Sequence, residues 1–228
     1  MEKIELDRKG KIKNWLYYHR WHIIVAVILI AFFLFVALQA ANREDYDSLL
    51  FYAGPCYFSE SAADAFEEAF ERVGGDYNKD GKTSYQLVAL TILSADQIVQ
   101  AQQSAKDDYE ILFVGDVDQN KRDFYDQIAS GEGVLCLIDE YYYKETLAKG
   151  RFVALKDVFG EVPANARDDG YGINFADTEF AKYFECFATL PETTVLCLKK
   201  QPLTMQDEDF EAGRELFCSV VEFSVKDN

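Results

Sequence analysis

Residues 23–41 form an uncharged and almost entirely apolar run of nineteen residues, IIVAVILIAFFLFVALQAA. As a helix that rises about 1.5 Å per residue, this run is long enough to cross the hydrocarbon core of a bilayer. Trp15, Tyr17, Tyr18 and Trp21 lie directly before it, as an interfacial aromatic belt would. The pattern predicts a transmembrane helix over residues 21–41, so that the lipid bilayer is the partner of this segment.

A cleaved signal peptide and a buried core helix are the alternatives to a membrane anchor. The apolar stretch of a signal peptide is usually about 7 to 15 residues long and ends at small residues. Here bulky Leu38 stands where the cleavage site requires a small residue. The aromatic belt argues against a core helix. An uncleaved anchor is therefore favoured.

The charges on the two sides of the apolar run predict its orientation. Residues 1–20 contain six Lys or Arg against three acids, whereas the segment directly after the run is acidic. The positive-inside rule then predicts a single-pass protein of the cell membrane. Residues 1–20 would be a cytoplasmic basic tail, residues 42–47 a linker, and residues 48–228 an extracytoplasmic domain.

The segment after the apolar run is strongly acidic. The whole chain carries a net charge of −17, and the first 41 residues contribute +3, which leaves −20 on the remaining 187 residues. Such a charge repels the phosphates of nucleic acids and of anionic lipid headgroups, so we expect no nucleic-acid partner. Cations and basic partners stay compatible with it. A second interpretation is that acidity keeps an exported domain soluble.

Histidine and cysteine usage limits the chemistry available after the apolar run. Both histidines, His19 and His22, precede it, which argues against Ser-His-Asp or Cys-His hydrolysis and against histidine-ligated zinc in the outer segment. Of the five cysteines, Cys136 and Cys197 lie in apolar, strand-like runs, where buried cysteines behave as small hydrophobes. One or two disulfides are possible in an outer compartment, and spacing does not select the pairs.

Short apolar strands alternate with helical segments through the rest of the chain. The predicted strands are residues 48–52, 85–93, 110–114, 134–138, 152–155 and 194–198. The first predicted helix begins with Ser61 as its N-cap. The other predicted helices cover residues 95–105, 123–129, 141–150 and 207–223. This alternation predicts an outer α/β domain whose sheet is covered on both faces.

Residues 76–84, DYNKDGKTS, have the order of residues that opens an EF-hand calcium loop. Asp76, Asn78 and Asp80 would supply side-chain oxygens, and Lys82 its backbone carbonyl, with a glycine for the sharp turn. Leu87 stands where the bidentate Glu of such a loop should be, so a calcium site would be completed from elsewhere. A turn built from Asx and glycine residues explains the same sequence, and both interpretations stay open.

The ends of the predicted strands supply a second candidate site. Ligands of open α/β sheets lie beyond the carboxyl ends of the strands. The candidate ligand-binding residues at these ends are Tyr52, Gly54, Gly115, Asp116, Asp139, Glu140 and Tyr141. Glycine lets the backbone approach a ligand, carboxylates bind cations or hydroxyl groups, and tyrosine offers an apolar face with a polar tip. Turn formation alone also enriches strand ends in Gly and Asp.

Three consecutive tyrosines, residues 141–143, could form an aromatic binding ridge. Neighbouring residues of a helix point about 100° apart, so we expect one or two of the three to pack inward.

The order of elements resembles the extracellular solute-binding proteins of ABC importers. The resemblance covers residues 48–199 and is carried by the phrases EILFVGD, GEGVLCLIDEY, KGRFVALKDVFGEVP, GYGINFADTEF and TTVLCLKK. It implies a reduced form of the solute-binding fold. The whole chain is similar to uncharacterised single-pass bacterial membrane proteins with a W-x-Y-Y-H-x-W-H phrase, here residues 15–22, followed by one span and a D-x-N-x-D-G loop.

These observations together predict a membrane-anchored, extracytoplasmic binding or interaction module. It would be non-catalytic, and would bind a small solute and, weakly, calcium. The alternative function is a structural or assembly component of the cell envelope that uses the acidic surface to bind a protein partner. An enzyme is disfavoured because the segment after the apolar run contains no histidine and no nucleophile motif.

Overall fold

The computed structural model describes residues 8–41, 46–104 and 117–225. The chain divides into two compact units, Met1–Asp45 and Tyr46–Asn228. The first unit contains the helix α1, and the second contains an α/β domain.

Helix α1 extends over Arg8–Ala41. Within it, Trp15–Val36 is long and apolar enough to cross a membrane, with a mean hydropathy of 2.1 and no part buried inside the structure. Apolar side chains such as Phe32 and Leu34 are more than half exposed. In water such a surface is unfavourable, so an apolar environment for this helix is physically reasonable.

Within the described residues of the second unit, five strands form one mixed sheet. They are β1 (Ser48–Gly54), β2 (Tyr85–Thr91), β3 (Leu135–Asp139), β4 (Gly172–Asn174) and β5 (Thr194–Leu198), in the order β2-β1-β3-β5-β4. Strand β1 pairs in parallel with β2 and β3, whereas β5 runs antiparallel to β3 and β4. The domain is therefore of the predicted α/β class.

Helices and short 3-10 turns connect the strands. The helices are α2 (Glu60–Glu71), α3 (Ala95–Ser104), α4 (Val117–Ser130), α5 (Glu140–Ala148), α6 (Leu155–Phe159), α7 (Glu179–Tyr183) and α8 (Asp207–Val221). The 3-10 turns are Phe175–Asp177 and Glu185–Thr189.

Several of the predicted element bounds were wrong in detail. The N-cap of α2 is Ser59 and not Ser61, because the Ser59 hydroxyl accepts the amide of Ala62 at 3.3 Å. The predicted strand over residues 152–155 is a single bridge between Phe152 and Lys199, after which α6 begins. The three-residue strand β4 was not predicted, because it is too short to show a period. The predicted strand over residues 110–114 lies outside the described residues.

The hydrophobic core lies on both faces of the sheet. Leu50 and Tyr52 of β1 pack in one cluster with residues of α2 and α8, while Phe51 and Ala53 pack in the other with residues of α4 and α5. Successive side chains of a strand point to opposite faces, so β1 contributes to both clusters. All four of these side chains are essentially inaccessible to solvent. The covering of both faces explains why β1 reads as a continuous apolar run.

Cys136 and Cys197 lie opposite each other on β3 and β5, and both are buried free thiols. This confirms their predicted role as small hydrophobes. Burial raises the pKa of Cys136 to about 11, so both thiols stay protonated at neutral pH. The other three cysteines are also free and partly exposed.

Gly213 of α8 allows the helix to pack closely on the sheet, and this gives a stability prediction. A Cβ at Gly213 would lie 2.0 Å from a methyl carbon of Val134 and 3.2 Å from the Ser48 hydroxyl. We expect Gly213→Ala to lower the free energy of unfolding by about 1 to 3 kcal/mol through overpacking. This sign is opposite to the gain of about 1 kcal/mol that alanine gives inside an exposed helix.

The measurement is the urea dependence of labelling of the buried Cys136 thiol in the full chain. Glu215→Ala, an exposed substitution on the same helix, is the control and should change stability by less than about 0.5 kcal/mol. A Gly213→Ala variant as stable as the wild type would contradict close packing of α8.

Candidate functional site

The strand register brings five strand ends to one edge of the sheet. Gly54 pairs with Thr91, Asp139 pairs with Thr194, and Asn174 lies beside Val195. The chain leaves β1 to form β2 on one side and later returns to form β3 on the other side. Such a reversal of strand order is where open α/β sheets bind ligands. We call this edge the carboxyl edge.

The predicted ligand-binding residues of β1 and β3 lie at this edge. They are Tyr52, Gly54, Asp139, Glu140 and Tyr141. Gly115 and Asp116 lie outside the described residues. The local geometry of each of the five determines what it can contribute.

Tyr52 and Gly54 form the floor of the carboxyl edge. The Tyr52 ring is fully buried, and its hydroxyl accepts the backbone N–H of Cys56 at 3.0 Å. A Cβ at Gly54 would lie 2.5 Å from the Tyr52 hydroxyl, so glycine is required for the ring to fold back over the strand end. Burial raises the pKa of Tyr52, and the phenol stays neutral. Both residues therefore shape the edge without reaching solvent.

Asp139 caps helix α5 and holds α3 against the end of β3. Its side chain accepts the amide of Tyr141 at 3.1 Å and the side-chain amide of Gln97 at 3.2 Å. Gln97 and Ser94 in turn cap the start of α3. The Gln97 side chain accepts the amide of Ser94 at 2.7 Å, and the Ser94 hydroxyl accepts the amide of Gln97 at 3.2 Å. With only 4% of Asp139 exposed, its carboxylate positions other groups.

Glu140, at the carboxyl edge, forms two ion pairs. It accepts from Arg167 at 2.8 Å and from Lys144 at 3.0 Å. The hydrogen bond from Arg167, followed by that from Lys144, lowers the pKa of Glu140 and keeps it ionised. Arg167 also donates to the side chain of Asn174 at the end of β4. The pair therefore joins the ends of β3 and β4.

A second set of contacts fixes the other side of the Arg167 guanidinium. Arg167 lies over the ring of Tyr143, 5.5 Å from its centroid, and its Nε lies 3.7 Å from a carboxylate oxygen of Asp169. Tyr143 donates its hydroxyl to Asp169 at 2.8 Å. Burial, and then this hydrogen bond to a carboxylate, raises the pKa of Tyr143. The Nε atom is buried and makes no hydrogen bond within the described part of the chain.

The three consecutive tyrosines divide as predicted. Tyr142 and Tyr143 are buried, whereas 44% of Tyr141 is exposed. Tyr142 donates its hydroxyl to the carbonyl of Leu93, at 2.8 Å. Tyr141 is therefore an aromatic ring that is exposed to solvent beside the end of β3.

A cavity of about 200 Å³ lies where β4 ends and β5 begins. Its lining residues are Phe175, Ala176, Ala181, Lys182, Phe187, Ala188, Leu190, Pro191 and Glu192. Asn174, which precedes the cavity wall, donates to Asp177 at 3.1 Å. The polar row that begins at Glu140 thus continues through Arg167 to Asn174, whose neighbour Phe175 lines the largely apolar cavity.

The predicted calcium loop is closed by hydrogen bonds from its backbone amides to its own side-chain oxygens. Asp76 accepts the amides of Asp80 and Gly81 at 3.1 and 2.9 Å, and Asp80 accepts that of Lys82 at 2.8 Å. Asn78 also accepts the amide of Asp80, at 2.9 Å. Gly81 has a positive φ of 88°, as the sharp turn requires. Its oxygens converge on amides in the manner of an Asx turn.

Asp47 anchors this loop, although the sequence predicted it to be part of the linker. Its carboxylate accepts the amides of Tyr77, Asn78 and Ser84 at 2.6, 2.9 and 2.8 Å, and only 6% of the residue is exposed. Over the described residues, no group of three His, Cys, Asp or Glu side chains is arranged to hold a metal ion. Calcium binding by the loop stays a prediction.

Sequence reasoning missed Gln97, Arg167, Asn174 and Asp47. The first three reach the carboxyl edge from elements that are distant in sequence, so no local spacing signals them. Asp47 carried a local signal, since an acid directly before an apolar strand is well placed to accept amides from a neighbouring turn.

No protein-family model matches the chain, and searches of curated proteins and of solved structures found no match.

The Glu140 ion pairs give a pH-dependent stability prediction. They hold the pKa of Glu140 in the folded state below its unfolded value of about 4.3. Their contribution to the free energy of unfolding is therefore complete above about pH 4.3 and is lost as the pH falls through the folded-state pKa. We expect Glu140→Gln to lower the free energy of unfolding by about 1 kcal/mol at pH 7, because the pair is partly exposed. The difference should vanish below the folded pKa.

Urea unfolding of the full chain, followed by circular dichroism between pH 7 and pH 3.5, measures this difference. Glu179→Gln, which removes an exposed pair with Lys182, is the matched control and should cost less than about 0.5 kcal/mol. An equal cost for Glu140→Gln across the whole pH range would show that the ion pairs do not contribute.

Proposed function

We propose that this chain is a membrane-anchored binding module, non-catalytic, with its N-terminus in the cytoplasm and its α/β domain outside. The membrane-length helix α1 supports the anchor, since its apolar surface is exposed in the structure. The basic charges before the apolar run of residues 23–41 and the acidic charges after it support the orientation. The compact unit Tyr46–Asn228 supports a domain with its own core.

The carboxyl edge is the solute-binding site of this proposal. One observation carries it: at the carboxyl edge, a row of polar contacts leads from Glu140 through Arg167 to Asn174, next to a cavity lined by Phe175. The cavity volume suits a small solute. Tyr141 would supply an apolar face, and Glu140 with Asn174 would hydrogen-bond hydroxyl or amino groups. The resemblance to solute-binding proteins of ABC importers is consistent with this use of the edge.

Weak calcium binding by residues 76–82 is the second part of the proposal. Asp76, Asn78 and Asp80 place oxygens around one turn, and the carbonyl of Lys82 follows them. The chelating oxygens would exchange their bonds to backbone amides for bonds to the ion. Because no acid stands at position 87, we expect weaker binding than in a complete EF-hand loop.

The solute site is tested by melting the full chain in maltoside detergent with a panel of sugars, amino acids and short peptides. A bound solute raises the melting temperature, by a stabilisation that grows as RT ln(1 + [L]/Kd). We expect at least one solute class to do so, and we expect Ala176→Leu, which adds bulk to the cavity lining, to remove the shift. Ala65→Leu, exposed on α2, is the matched control and should keep it.

The absence of any shift over the panel would contradict solute binding and favour the envelope scaffold. A shift that survives Ala176→Leu would contradict the placement of the site at this cavity.

The calcium prediction uses the same melting scan with millimolar calcium against a chelator. We expect calcium to raise the melting temperature, and Asp76→Ala to abolish the effect, because this substitution removes the first oxygen ligand. Asp64→Ala removes an exposed acid outside the loop and should leave the effect unchanged. An equal response of the two variants would contradict a specific loop site.

A further inference from the structure

A second cavity, of about 340 Å³, lies at the edge of the sheet opposite to the carboxyl edge. It is bounded by the end of α4, the segment after α5 and the segment after β5. Three of its lining residues are the cations Lys149, Arg151 and Lys200. We call it the basic cavity.

Arg151 and Lys200 are held side by side. Phe152 and Lys199 form an antiparallel bridge, and the amide of Lys200 donates to the carbonyl of Arg151 at 2.9 Å. Phe152 and Lys199 are buried, so the flanking Arg151 and Lys200 point to the other, solvent side, where both are exposed. Like charges placed directly opposite each other are destabilising.

Lys149 adds a third positive charge to the basic cavity. Its ammonium lies 3.6 Å from the centroid of the Tyr125 ring, a cation–π contact that leaves the charge uncompensated. The Tyr125 hydroxyl donates to Glu145 at 2.6 Å, so this acid is bound to the phenol. Among the described residues, none of the three cations of the cavity is in an ion pair.

The buried Lys199 reduces the negative electrostatic potential at the wall of the basic cavity. The cavity wall includes the end of α4, where unpaired carbonyls and the helix dipole would repel an anion. The Lys199 ammonium donates to the carbonyls of Gln127 and Gly131 at 2.8 and 2.7 Å. A buried cation therefore neutralises this helix end.

We infer that the basic cavity binds a small oxyanion, such as a phosphate or a dicarboxylate. The segment that contains these cations has a net charge of −20, so many acids are available to form ion pairs with them. The fold instead leaves the uncompensated cations facing a concave site. A doubly charged oxyanion would bridge Arg151 and Lys200 with charge-assisted hydrogen bonds, and Thr204 adds a hydroxyl at the wall. Asp207 bonds to the Gln201 amide at 2.8 Å and leaves the cations accessible.

Calorimetric titration of the full chain in maltoside detergent tests this site, with inorganic phosphate in one arm and malonate in the other. Total ionic strength is held constant with sodium chloride, because exposed charges respond to salt alone. We expect saturable binding in at least one arm, and the arm that binds more tightly identifies the oxyanion class. The double variant Arg151→Gln with Lys200→Gln should weaken it about tenfold or more.

The matched control is Lys156→Gln with Arg72→Gln, which removes one exposed lysine and one exposed arginine at other places. We expect this control to change the affinity by less than about twofold, since only the general field changes. The absence of saturable binding in both arms would overturn the inference. An equal loss of affinity in the two double variants would also overturn it.

Discussion

The burial of β1 on both faces is the constraint on which the rest of the domain depends. Its residues Leu50 to Ala53 are essentially inaccessible, and they join the two clusters of the core. A strand buried on both faces requires helices on each side, and parallel neighbours require crossovers. The resulting reversal of strand order between β2 and β3 creates the carboxyl edge.

Close packing around this centre also explains where polar groups lie. Gly54 lets Tyr52 fold over the strand end, and Gly213 lets α8 approach the sheet. Buried polar side chains then satisfy backbone groups, as Asp47 does for the loop and Lys199 does for the end of α4. Glu140 and Tyr141 are among the polar residues that stay at least partly exposed, and the proposed solute site uses them.

The α/β class, and most elements, followed from the apolar pattern, because strands such as β3 and β5 are continuous apolar runs. Helix α2 was also predicted, although its N-cap was misplaced by two residues. Strand β4 was missed because three residues carry no period. Pairing of β5 antiparallel to β3 could not be predicted, since the direction of a strand depends on how the chain returns and not on its own residues.

The candidate sites were predictable only in part, for a related reason. Residues next to strand ends were found from local sequence, but Arg167 and Gln97 reach them through tertiary contacts. The net charge of residues 42–228 also concealed the basic cavity, because Arg151 and Lys200 are distant in sequence and meet only through the bridge beside them. Net charge describes the average surface, whereas binding depends on local charge.

Protease accessibility in sealed, right-side-out membrane vesicles tests the membrane-anchored arrangement most directly. Trypsin should cleave residues 46–228 from outside, while the basic residues before α1's apolar segment stay uncut until detergent opens the vesicles. Detergent-opened vesicles show that both segments can be cut. Protection of the α/β domain together with cleavage of the N-terminal tail would reverse the proposed topology, and release of the intact chain by alkaline carbonate would contradict a membrane anchor.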